Sequence, residues 1–194
     1  FPYTTLFRSP YVYLPQTGQT PSSPITATAG MDGDIHTGIP WAYVTSGSTT
    51  PATRFTAGTG TEAGCITDNL TGLMWVKDLN TVAIDGASAG TSTSRQNALD
   101  SIETANNGSG YCGYTDWYLP TVNDLSSLLN DGQSSPATWL NAQGFAYVQA
   151  STYWSSSTSA SDATNAWLVR FNNGGVGAYN KTTNGYVWPV RLAQ

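Results

Sequence analysis

The chain reads as an α+β fold with two helices packed on short antiparallel strands and many loops, and three observations predict it. A strand-turn-strand segment is followed by two helix-capable stretches and then by a run of short strand-like segments, without the alternating units of a parallel sheet. Charged residues make up only 10% of the 194 residues, while Gly, Ser, Thr and Asn are abundant, so short elements joined by turns are expected. With 7 Trp, 11 Tyr and 5 Phe there is enough apolar surface to offset the entropy of ordering such a chain.

Three stretches are expected along the sequence. Residues 1–9, FPYTTLFRS, match over their whole length the in-frame translation of a common short-read sequencing adapter. They are set apart from the fold, and the gene's own start, with any export signal, is expected upstream. Residues 10–60 are rich in Pro, Thr, Ser and Gly and read as an extended arm, with Trp41 and Phe55 as its anchors. Residues 61–194 form the folded domain.

Within that domain, CITDNLTGLMWVKD alternates as a strand from Cys65, turns at 69–72 and resumes as an apolar strand at 73–76. A helix is expected where Ser94 can cap, Ala98, Leu99, Ile102 and Ala105 share a face and Gly108 can stop the run. A second, shorter helix follows Pro120: Thr121 caps, Asp124 stands three residues on, and Val122, Leu125, Leu128 and Leu129 form its buried stripe. A loop carrying Trp139 and Phe145 comes next. The remainder reads as strands near 153–156, 166–171, 176–179 and 186–191, with 172–175 as a hairpin turn.

Composition narrows the function. A net charge of −5 with only seven Lys and Arg speaks against nucleic acid or an anionic membrane as partner. No hydrophobic run approaches the roughly 20 residues of a membrane span. The lone His36 lies in a Gly- and Asp-rich loop without a nucleophile motif, which disfavours a hydrolytic triad. Asp116 reads as a structural acceptor before WYLP rather than a general acid. Phosphate loops and dinucleotide fingerprints are missing.

Asp32 and Asp34 could offer oxygen ligands to calcium, but a solvated turn is the preferred reading and no cofactor is expected. Cys65 and Cys112 lack the companions of a zinc site, and a disulfide between them would suit an exported protein. Asn69, Asn107 and Asn180 stand in N-x-[ST] sequons, frequent in any Ser- and Thr-rich chain.

The final forty or so residues place large aromatics among small polar residues, a composition suited to recognition. Trp154, Trp167 and Trp188 read as scaffold. The expected ligand contacts are Arg170, Asn172, Asn173, Tyr179, Asn180, Lys181, Asn184 and Tyr186, by hydrogen bonding and aromatic stacking.

Five motifs in order, TDNLTGLMWVKD, CGYTDWYLP with its following helix, FAYVQASTYWSSST, AWLVRF and YVWPVR, resemble the Lcl C-terminal domain family, named after the globular head of a bacterial collagen-like adhesin. LPQTGQT and GMDGDIHTGIPW resemble the leader of its exported members. The resemblance implies a C-type lectin-like fold related to formylglycine-generating enzymes, a place outside the cell or on its surface, a glycan or protein ligand, no catalysis, and assembly as a homo-oligomer, by analogy a trimer. It also admits a receptor diversified by a retroelement, a subunit of a surface appendage, or an enzyme of the formylglycine-generating branch, which would need a free Cys pair or a metal. Two departures stand out. The family's sulfated polyanion ligand calls for a basic cluster that this acidic chain lacks, and Tyr118 stands where the family usually has Arg, removing any internal ion pair made by that Arg.

Overall fold

A computed structural model describes residues 53–193. The 1–9 segment, most of the 10–60 arm, Asp32, Asp34, His36 and Trp41 lie outside these described residues. Among these residues, seven strands form two antiparallel sheets, and three α-helices pack around them. The first sheet contains β1 (Phe55–Ala57), β2 (Cys65–Asp68), β3 (Leu73–Val76) and β7 (Val190–Leu192), in that spatial order. The second contains β4 (Thr152–Thr158), β5 (Asn165–Arg170) and β6 (Val176–Asn180), again in order. Between the sheets in sequence come α1 (Arg95–Asn107), α2 (Val122–Ser127) and α3 (Pro136–Ala142).

The β2–β3 hairpin forms where its sequence places it. Gly72, at φ +70°, takes the left-handed turn position and donates to the carbonyl of Asp68. Every residue of β3 is buried, because β3 lies between β2 and β7. Phe55 lies in the edge strand β1, edge-on to Trp139 and Phe145 at 5.9 and 5.2 Å.

Both expected helices begin at their expected caps. The Ser94 side chain accepts from the Asn97 amide, and Gly108 ends α1 by donating back to Thr104 and Ala105. Thr121 and Asp124 form a reciprocal capping box at α2. The stretch expected as a loop around Trp139 holds a third helix, α3. Ser135 caps it, Pro136 opens it, and Ala137 and Leu140 are buried. Its cap and proline were readable, but two turns are too short to show a helical period.

A second difference concerns 186–191, expected as one strand. Only its end pairs as β7. Tyr186 instead bridges the second sheet, donating to Thr152 and accepting from Trp154, while Trp188 Nε1 donates to the Val76 carbonyl of the first sheet at 2.9 Å. Pro189, which has no N–H to give a ladder, sits at the crossing. This short segment therefore ties the sheets together. Around it lies an aromatic core in which the fully buried Trp188 ring meets Trp75, Phe145, Tyr153 and Phe171 at 5.2–5.6 Å. Trp154 is also fully buried, but Trp167 is not part of this core. It alternates with buried Ala166 and Leu168 and so faces the other side of β5.

Among the described residues, two ion pairs and one disulfide pin the first sheet. Arg54 grips Asp68 with two hydrogen bonds of 2.9 and 2.7 Å, both residues being buried, and adds a 2.7 Å bond to the Ser127 carbonyl. Cys65 and Cys112 are bonded, as the sequence suggested, with Cα atoms 6.2 Å apart. Arg191 grips Asp116 at 2.6 and 3.0 Å and lies 3.7 Å over the Tyr114 ring, whose hydroxyl donates to Glu62. Asp116 is thus a structural acceptor. The acid of the DWYLP motif finds its partner in β7, while Tyr118 supplies only backbone bonds to Val190.

The Arg191 hydrogen bonds hold the Asp116 carboxyl below its ordinary range. A depressed folded value means the pair stabilises the fold above the ordinary carboxylate range and loses that contribution as pH falls through the lowered value. Acid titration should therefore loosen β7 from the 114–118 segment. The Asp116→Asn variant should show a smaller fall in melting temperature than wild type between neutral pH and pH about 3, and identical slopes would remove this pair as a source of acid sensitivity.

Candidate ligand-binding site

The β5–β6 hairpin carries most of the expected contacts, and its register decides which of them meet. The turn closes where Arg170 donates to Gly175 and Gly174 donates to Arg170, with Gly174 at φ +75°. The Asn173 side chain accepts from the Gly175 amide at 3.1 Å, so this residue shapes the turn. Asn172 is exposed beside it.

Cross-strand partners share a face. Ala166 with Tyr179 and Leu168 with Gly177 therefore define one side of the hairpin, and Trp167 with Ala178 and Val169 with Val176 the other. On the first side the Arg170 guanidinium stacks on the Tyr179 ring, 5.2 Å from its centre. A glycine makes room for this pair: a Cβ at Gly177 would come within 3.0 Å of the Tyr179 ring. Among the described residues the half-buried guanidinium has no hydrogen-bond or ion-pair partner. Its planar fork is held in place by the ring while its donors remain available.

The structure thus places Arg170, Asn172 and Asn173 at the turn end, and the Tyr179 ring reaches Arg170 from further along β6. Asn180 ends β6, about 13 Å from Val176 by strand rise, and Lys181 and Asn184 follow it. There Asn180 accepts from the amide and hydroxyl of Thr182, and Lys181 Nζ donates to the Ala163 carbonyl at 2.6 Å. The backbone of Lys181 donates to Thr164 and accepts from Arg95, whose guanidinium in turn holds the carbonyls of Ser155 and Ser156. These contacts join the loop to α1 and β4. Asn184 is exposed. Tyr186 is half-buried, its ring 5.5 Å from that of buried Tyr153, and packs against the core.

Sequence reasoning missed the apolar side of the same hairpin. Val176 is 45% exposed, Ala178 is exposed, and Trp167 is only half-buried, so the three form a strip. Strand alternation around Trp167 was the available signal. It also missed Tyr147, 55% exposed at φ +57°. Its neighbours fix that backbone: Ala146 donates to Lys77 and accepts from Leu79, and Val148 exchanges two bonds with the Asn141 side chain. Nothing in the sequence announces a left-handed tyrosine.

Among the described residues no group of three His, Cys, Asp or Glu side chains could hold a metal ion, and no helix is long and apolar enough to cross a membrane. A family model described as the Lcl C-terminal domain matches residues 64–191, from just before β2 into β7. No curated protein matches the chain.

Proposed function

The chain belongs to the Lcl C-terminal domain family, and from that premise we propose that it is an exported, non-enzymatic surface module that binds a glycan or protein ligand at the turn end of the β5–β6 hairpin. The observation that carries this reading is the Arg170–Tyr179 pair. A guanidinium stacked on an aromatic ring, its donors unused and Gly177 leaving space beside the ring, is ordered before a ligand arrives.

Other features agree with it. The disulfide suits an oxidising compartment. Because both cysteines are bonded, neither offers a thiol for chemistry of the formylglycine-generating kind. A single shallow site of this type binds weakly, so presentation in several copies would set the working affinity.

The test is a screen of the full chain on a glycan array and a peptide library, with and without calcium, followed by affinity measurements on variants. Combining Arg170→Ala with Tyr179→Ala should weaken the ligand found by tenfold or more, since a charge-assisted hydrogen bond and a stacking contact are lost. Asn184→Ala at the far end should leave affinity within about twofold, the change expected where no contact is lost. The opposite pattern would move the site to the 180–184 loop.

A further inference from the structure

We propose that β6 accepts an extended polypeptide segment as an added strand, so that the ligand of this module is a peptide with alternating apolar and acidic side chains. This rests on the placement of the ligand site at the β5–β6 hairpin and names the class of partner.

Hydrogen-bond parity sets which peptide groups of β6 are free of β5. Arg170 donates to Gly175 and Lys181 donates to Thr164, which fixes 175, 177, 179 and 181 as the positions whose peptide groups face β5. The N–H and C=O groups of Val176 and Ala178 therefore point away from the sheet. β6 is its edge strand, and no described residue pairs with these groups. Natural edges are commonly blunted with Lys, Pro or a bulge, and VGAYN has none of these.

Side chains on the two faces then define the partner. A strand laid along β6 would set alternate residues on opposite sides. On one side it meets the apolar strip of Val176, Ala178 and Trp167. On the other it meets Tyr179 and the unpartnered Arg170, which calls for a carboxylate. A second copy fits poorly. Two β6 strands paired antiparallel about Ala178 would set Lys181 of one against Gly175 of the other, beside Arg170, bringing like charges together. Their five-residue overlap also falls well short of the roughly 1,200 Å² of a stable interface. A glycan could use Tyr179 and Arg170 without the edge amide of Ala178.

That difference supplies the experiment. Linear random peptides long enough to span β6 are selected on the full chain, and the selected pool is measured against wild type, Ala178→Pro and the Arg170→Ala/Tyr179→Ala pair. Proline at 178 removes an N–H that the β5–β6 ladder does not use, and edge strands tolerate it. Enrichment of alternating apolar and Asp/Glu sequences, with binding weakened at least tenfold by Ala178→Pro, is the expected result.

If Ala178→Pro melts at lower temperature than wild type, N-methylation of alternate peptide residues replaces it and should abolish binding to the unaltered chain. Peptide binding that survives both changes overturns strand addition. So does a glycan array hit with no enriched peptide, or concentration-dependent self-association through β6. Loss of binding in the Arg170→Ala/Tyr179→Ala pair alone would retain the site and reject the added strand. Binding untouched by any variant would reject the site itself.

Discussion

Replacing Cys65 and Cys112 together by Ala is expected to lower stability by about 4 kcal/mol, the loop-closure entropy of a bridge spanning 47 residues. The bond joins the start of β2 to the 111–114 turn, so the closed loop contains β3 and the whole of α1. Without it, the unfolded chain regains freedom over about a third of the described residues. The turn itself adds to the dependence, because Cys112 holds φ +54°, a conformation that a non-glycine residue adopts only under outside constraint. Melting curves should fall by roughly 10 °C in the double variant or with reductant. A transition unmoved by reductant would show that the bridge contributes nothing to the native state.

The second large effect is expected at Asp68. Asp68→Ala removes the carboxylate that receives two hydrogen bonds from buried Arg54 and one from the Leu70 amide. Removing the carboxylate takes from the buried guanidinium its two-toothed anionic acceptor, a loss of about 3–5 kcal/mol for a buried pair. The cost arises from desolvation more than from the attraction lost. Replacing both members, Arg54→Met with Asp68→Leu, should therefore recover most of the stability. Urea denaturation of both variants measures the difference, and equal midpoints for the single and paired replacements would contradict this account.

Much of the fold was legible because its signals are local. A capping side chain, a glycine stop and an apolar stripe are enough to place α1, and the same logic places α2 at Thr121. The β2–β3 and β5–β6 hairpins follow from strand alternation broken by turn residues. What escaped depends on distant partners. Arg191 reaches Asp116 across 75 positions, and Trp188 reaches Val76 across 112, so no window of sequence contains either contact. The 186–191 segment looked like one strand because its composition suits both sheets, and it serves each with a different part.

The site was legible as a composition but not as a geometry. Arg170 and Tyr179 meet on the face that Ala166, Leu168 and Gly177 share, and Asn172 and Asn173 follow Arg170 in the turn. Asn180, Lys181 and Asn184 share that composition and lie at the other end, where two of them hold their loop together. Asn and Gly are used alike for turn-making and for contact, so residue type could not separate the two groups. Trp167 shows the same limit in reverse. It reads as core beside Trp154 and Trp188, and the alternation of β5 turns it outward.

The central claim is that the turn end of the β5–β6 hairpin is where the ligand sits. Amide hydrogen exchange of the full chain, free and saturated with the ligand recovered from the screen, tests this most directly. New protection is expected to concentrate in residues 170–179, with the amides of Val176 and Ala178 among the most slowed and the 180–184 loop little changed. Protection centred on the Tyr147 loop or on the 180–184 loop, with 170–179 unaffected, would contradict it.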